Sequence, residues 1–117
     1  VMSEKMAETA LAAVKMLDKK LIYMNFLLNI TPDCDCDGAV DNPIVNDIGL
    51  LISDDPVAID KASYDLVCKQ LPLSNSRIEN KKGDIFKCVH PQIDSLHQLV
   101  YAEQIGLGSM AYQLIEV

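Results

Sequence analysis

Tryptophan is missing from this 117-residue chain and phenylalanine occurs only twice, beside four tyrosines, so any core has to be built from aliphatic side chains. Long hydrophobic runs are missing too. The longest, Leu21 to Ile30, is interrupted by Asn25 and Asn29 and falls short of the roughly 20 residues a spanning helix needs, so no membrane segment is expected. Basic side chains are scarce: 10 Lys and Arg against 17 Asp and Glu give a net charge of −7, a field that repels nucleic-acid backbones and anionic membrane surfaces. Neither is expected as a partner. No G-x-S-x-G, Walker loop or G-x-G-x-x-G occurs, and "GLG" at 106–108 reads as a helix stop. The closely spaced cysteine run of bacterial ferredoxins is absent, so this segment by itself should not hold an ordinary four-iron cluster. Residues 1–17 contain no continuous apolar stretch of the signal-peptide kind, which points to the reducing cytoplasm and to four cysteines present as thiols.

What is present fits one domain, residues 1–117, with ordinary globular composition: half the residues are hydrophobic and 23% charged. The spacing of Met6, Ala7, Ala10, Leu11, Val14 and Leu17 predicts a core-facing amphipathic helix with Ser3 as its cap. "LIYMNFLLNI" and "IGLLIS" read as strands covered on both faces, because their apolar residues run nearly unbroken. Asp55 caps a second helix with Pro56 at its first position, and Asp60, Tyr64 and Cys68 share one stripe of it. Residues 72–84 form a polar connector expected to be flexible. "IFKCVHP" is a short piece, extended or helical; Asp94 then caps a last helix that Gly106 ends, with Leu107 as the following hydrophobic contact, and "AYQLIEV" is read as a third strand. The expectation is therefore an α/β fold, a small three-layer sandwich with a sheet of three or more strands and about three helices. Since the chain opens on an ordered helix, further residues are expected before it in the natural protein.

The densest chemistry lies in "NITPDCDCDGAVDNP", residues 29–43. Cys34 and Cys36 are two residues apart, so in an extended segment both thiols project to one side with their Cα atoms about 6.6 Å apart. Four readings follow. Cys88 and His90, at the same spacing, would complete a tetrahedral zinc or iron site with the two loop thiols. Asp33, Asp35, Asp37, Gly38 and Asp41 match the first nine places of a calcium loop, although Ile44 stands where its bidentate glutamate belongs. The dithiol would close a small strained disulfide, while the flanking aspartates disfavour thiolate. In the plainest case the aspartates cap backbone amides in a tight turn.

Three stretches, "NFLLNITPDCDC", "PIVNDIGLLISDDPVAIDKASYDLV" and "HPQIDSLHQLVYAEQIGLGSMAYQLIEV", resemble the carboxyl-terminal part of the domain-of-unknown-function 362 family. The resemblance implies an iron-sulfur-associated protein whose ferredoxin-like cluster module lies upstream of this segment and is its partner. By the same likeness Cys34, Asp35 and Cys36 match the family's Cys-Asp-Cys, Asp47 the aspartate before its "IG", and Asp55, Pro56 and Asp60 its "DPVA-D" segment. Cys68, Cys88 and the Asp37-Gly38 pair have no place on that pattern. The candidate metal-binding residues are thus Cys34, Cys36, Asp60 and Asp47, with a metal or a redox substrate bound at the Cys-Asp-Cys loop. The alternative is a non-catalytic scaffold that docks the ferredoxin-like module, and a hydrolase or transferase using the carboxylates as acid and base comes third.

Overall fold

Helices and strands follow one another in the order the apolar spacing predicts, but fewer strands form. The computed structural model describes residues 2–18, 20–34, 36 and 38–117. Its elements are α1 (Met2–Met16), β1 (Tyr23–Leu27), β2 (Gly49–Ser53), α2 (Pro56–Cys68), α3 (Ile85–Val89) and α4 (His97–Gln104). Among the described residues β1 and β2 make a two-stranded antiparallel sheet, which corrects the expected sandwich: there is no sheet of three or more strands, and four helices rather than about three. "AYQLIEV" joins no ladder, and residues 111–117 are exposed throughout. Apolar alternation makes a strand possible, yet a ladder exists only where a neighbour offers its backbone groups.

The two strands are not covered on both faces either. Along β1 the residues alternate, with Leu27 buried while Met24 and Phe26 are 49% and 65% exposed; on β2 Leu50 and Ile52 stand out in the same way. A nearly unbroken apolar run is equally compatible with one covered face and one bare apolar face, and sequence cannot separate the two.

The chain divides into two compact units, the first formed by Val1–Asn25, Leu51–Ser63 and Ser95–Val117, the second by Phe26–Leu50 and Tyr64–Asp94. In the first, Ala7, Val57, Leu99 and Ala102 are buried together, with Leu96, Tyr101, Ile105, Leu107 and Met110 packed around them. Only Ala7 and Val14 of the α1 stripe are buried and Met6 stays exposed, because small residues let α1 and α4 meet along a narrow line. Beside that line His97 Nε2 lies 3.0 Å from Glu4 Oε1 and the Tyr101 hydroxyl donates to Glu8 Oε1 at 2.7 Å, two rungs spaced four residues apart on each helix.

Two helix ends follow the sequence signals, at Asp55 and Gly106, whereas Ser3 falls inside α1 and α4 starts from Leu96, which makes no side-chain cap bond, instead of from Asp94. Asp55 Oδ1 accepts from Val57 N and Ala58 N at 2.8 and 3.0 Å, as an N-cap carboxylate does. Gly106 takes φ +79° after α4; its N–H reaches Glu103 O and Leu107 N–H reaches Ala102 O, a Schellman stop with Leu107 as the hydrophobic contact. The other oxygen of Asp55 then accepts from Ser109 N at 2.9 Å, so one carboxylate joins the start of α2 to the turn beyond α4. Gly108 is required there, since a Cβ on it would collide with the Asp55 carboxylate.

The second unit is built on Ile44, Val45, Val67, Ile78 and Ile85, joined by Ile30, Ile48, Cys68, Phe86, Cys88 and Val89. Ile78, in the middle of the polar 72–84 connector, is fully buried. Ser76 N and Glu79 N bond back to Leu73 O and Ser76 O, and Asn75 and Asn80 take left-handed φ values of +62° and +66°, which asparagine tolerates. The polar residues therefore turn the chain tightly around one apolar anchor.

Candidate functional site

Loop 28–48 leaves the end of β1 and returns to the start of β2 through closures stacked at its base. Ile48 N donates to Leu27 O at 2.8 Å, Ile44 N to Ile30 O at 2.8 Å, and Asn29 N to the Asp47 carboxylate at 2.6 Å. Asn29 has φ +49°, a left-handed turn that lets its N–H face Asp47. Asp47 thus closes the loop. Ile44 and Val45 then plunge into the core of the second unit, fixing the returning limb, and Leu73 N bonds to Ile44 O at 2.9 Å.

Two side chains from outside the loop hold its outgoing limb. Arg77 places Nη1 2.6 Å from Asp33 Oδ2, and its Nε and Nη2 donate to Asp41 Oδ2 at 2.9 and 2.7 Å. A planar guanidinium spans two carboxylates eight residues apart in a way that a lysine ammonium could not. The hydrogen bonds to Asp41 and then Asp33 push the Arg77 pKa up. His90 Nε2 lies 3.2 Å from Pro32 O and 3.5 Å from Asp33 Oδ1, and the Thr31 hydroxyl donates to Asp33 O at 2.8 Å. Asn42 Nδ2 reaches Asn75 O at 3.3 Å.

On this pinned frame Cys34 and Cys36 are both exposed thiols. The hydrogen bond between them comes first among the causes that push the Cys36 pKa up, followed by the charge of Cys34 and slight burial. Beside them a cleft of about 580 Å3 is lined by residues 29–34 and Val40. The two sulfurs are therefore adjacent, open to solvent, and carried on a loop whose ends are fixed.

The remaining sequence candidates are employed elsewhere. Asp60 belongs to the first unit and accepts from Asn25 Nδ2 at 2.8 Å, with Ser63 Oγ taking the same amide at 2.9 Å. The Cys88 thiol bonds to Lys82 O and that of Cys68 to Asp84 Oδ1, each at 3.7 Å. Among the described residues no group of three or more His, Cys, Asp and Glu side chains is placed to hold a metal ion. Asp35 and Asp37, two carboxylates of the calcium pattern, lie outside the described residues, while Asp33 and Asp41 are engaged by Arg77.

Sequence reasoning missed Arg77 as the clasp of the loop. The one available signal was that it is the sole arginine of the chain, set among lysines in a polar stretch. It also missed Asp84, which caps α3 through Phe86 N and Lys87 N, takes the Cys68 thiol, and accepts a short bond from the Tyr64 hydroxyl. Tyr64 in turn stacks on Phe86, with ring centroids 4.8 Å apart. The i, i+4 spacing of Tyr64 and Cys68 was legible; the carboxylate they share was not, because it stands 16 residues further on.

The family model for a domain of unknown function, DUF362, matches residues 1–65. That span holds α1, the sheet, the Cys-Asp-Cys loop, Asp47, Asp55 and Asp60, but neither Arg77, Asp84 nor the third stretch of resemblance read from sequence. No curated protein and no solved structure matches the chain.

Proposed function

The chain belongs to the DUF362 family, whose function is unknown, and from that premise we propose that its Cys-Asp-Cys loop is a dithiol redox site. The observation that supports this reading is the pair of exposed free thiols, two residues apart and beside one cleft, on a loop fixed by Arg77, His90 and Asp47. Thiol–disulfide exchange needs one sulfur to attack and a second nearby to resolve the mixed disulfide. Cys34 attacks a disulfide co-substrate and expels one thiolate. Cys36 then gives up its proton, attacks the Cys34 sulfur and releases the second thiol. The loop loses two electrons and two protons, and the co-substrate gains them. The eleven-membered ring so formed is strained and therefore oxidising. In the iron-sulfur setting that the resemblance implies, the partner that recharges or drains this dithiol is the ferredoxin-like module of the same protein.

Thiol counting and elemental analysis of the anaerobically purified chain, before and after equilibration with glutathione redox buffers, tests the reading. Cys34 and Cys36 should be lost together as one two-electron couple while Cys68 and Cys88 remain titratable, and Cys34→Ser should bring the Cys36 alkylation profile down towards that of an ordinary thiol. Independent oxidation of the two, or mixed disulfides that never resolve, would make the loop a structural connection and leave the scaffold reading in its place.

A further inference from the structure

Charge is unevenly spread along this acidic chain: five of its ten basic residues fall between 69 and 87, against only Glu79 and Asp84. Three of them, Lys69, Lys81 and Lys82, line one cleft of about 530 Å3 together with Tyr64, Gly83 and Asp84, all within the second unit. Among the described residues none of these three ammoniums lies within ion-pair distance of a carboxylate. The carboxylate that lines the cleft with them, Asp84, is already engaged: Oδ1 takes Phe86 N, Lys87 N and the Cys68 thiol, and Oδ2 takes the Tyr64 hydroxyl. Lys81 Nζ is positioned by a 2.9 Å bond to Cys88 O, which leaves two of its protons for a ligand. Gly83, at φ +102°, has nothing within 4 Å of where a side chain would stand, so a ligand can approach the backbone there. Leu71 and Pro72 add apolar surface to the same lining.

Three lysines without a carboxylate partner in the lining of one cleft suit a compact dianion, and the cleft volume falls in the range of small-molecule sites. We propose that this cleft binds a small phosphomonoester, its phosphate held by Lys69, Lys81 and Lys82 and its organic body against Leu71 and Pro72. The chain's net negative field works against anion binding everywhere else, so the cations of this cleft supply the attraction locally. The site shares no residue with the Cys-Asp-Cys loop, and the two readings stand or fall separately.

Phenyl phosphate titrated into the 15N-labelled chain is the direct test, with inorganic phosphate in a parallel series. Saturable shifts centred on Gly83, Asp84 and Ile85 are expected, stronger for phenyl phosphate than for inorganic phosphate. Lys69→Gln with Lys82→Gln, which removes two ammoniums that anchor nothing in the fold, should weaken binding about tenfold. Lys5→Gln with Lys20→Gln, the same change of net charge elsewhere, should weaken it less than about twofold. Equal loss in both double variants, shifts scattered over the surface, or no saturation at millimolar phenyl phosphate would overturn the proposal. Equal affinity for the two anions would overturn the assignment of the organic body to Leu71 and Pro72.

Discussion

Ile78→Ala is the substitution that most sharply tests how the second unit is held together. Ile78 has no exposed surface and packs with Ile44, Val45, Val67 and Ile85, although it sits in a stretch whose other residues are almost all polar. Truncation removes three buried carbons, about 2.4 kcal/mol at roughly 0.8 kcal/mol each, before any term for the space left behind. Neighbours that collapse only partly add to this, so a loss of about 3 kcal/mol is expected, within the range of about 2–5 kcal/mol for such changes. Urea unfolding followed by circular dichroism gives the free energy, and hydrogen exchange gives its location. Protection should fall at residues 44–45 as well as around 78, because both limbs lean on the same cluster. Leu71→Ala, seven residues earlier at an 83% exposed position, serves as the control and should change stability by no more than about 0.5 kcal/mol. If Ile78→Ala were as mild as Leu71→Ala, the 72–84 segment would be a loosely attached connector, and the burial described for Ile78 would carry no energy.

Further outcomes follow from two carboxylates, Asp84 and Asp55, that each serve several partners. Burial alone would raise the Asp84 pKa, but the hydrogen bonds from Tyr64, the Lys87 and Phe86 amides and Cys68 outweigh it and leave it lowered. The stability this provides is present above the ordinary carboxylate pKa and is lost as pH falls through the lowered value of the folded state. Asp84→Asn should therefore cost about 1–2 kcal/mol at neutral pH, and less as the medium is acidified, in urea midpoints measured across that interval. Tyr64 should ionise well above an ordinary phenol, since burial and then its bond to Asp84 push its pKa up; ultraviolet titration of the chain and of Tyr64→Phe shows which tyrosine is delayed. At the other carboxylate, Gly108→Ala should displace Asp55 from the start of α2 and cost about 1–2 kcal/mol, much as Asp55→Ala does. The double variant should be little worse than either single one in thermal melts, because both remove the same cap.

Local chemistry was legible from the residues. The N-cap and first-turn proline at Asp55 and Pro56, the Gly106 stop with Leu107 behind it, the two strands and the loop of paired thiols all follow from contacts within a few residues of each other. The family was legible too, through segments that include that loop. Sequence overestimated the sheet: the final "AYQLIEV" has the composition of a strand, but pairing depends on a neighbouring backbone that no local pattern specifies. The same limit explains the site. Asp33 and Asp41 looked like cation ligands until Arg77, 36 residues beyond Asp41, was placed between them, and Tyr64 and Cys68 gained a meaning only when Asp84 reached both. Short-range rules of capping, turn chemistry and periodicity are written in adjacent residues, so the sequence by itself determined them. Which carboxylate meets which cation, and which apolar face is left bare, depends on chain reversals that bring distant segments together, and only the tertiary structure decided those.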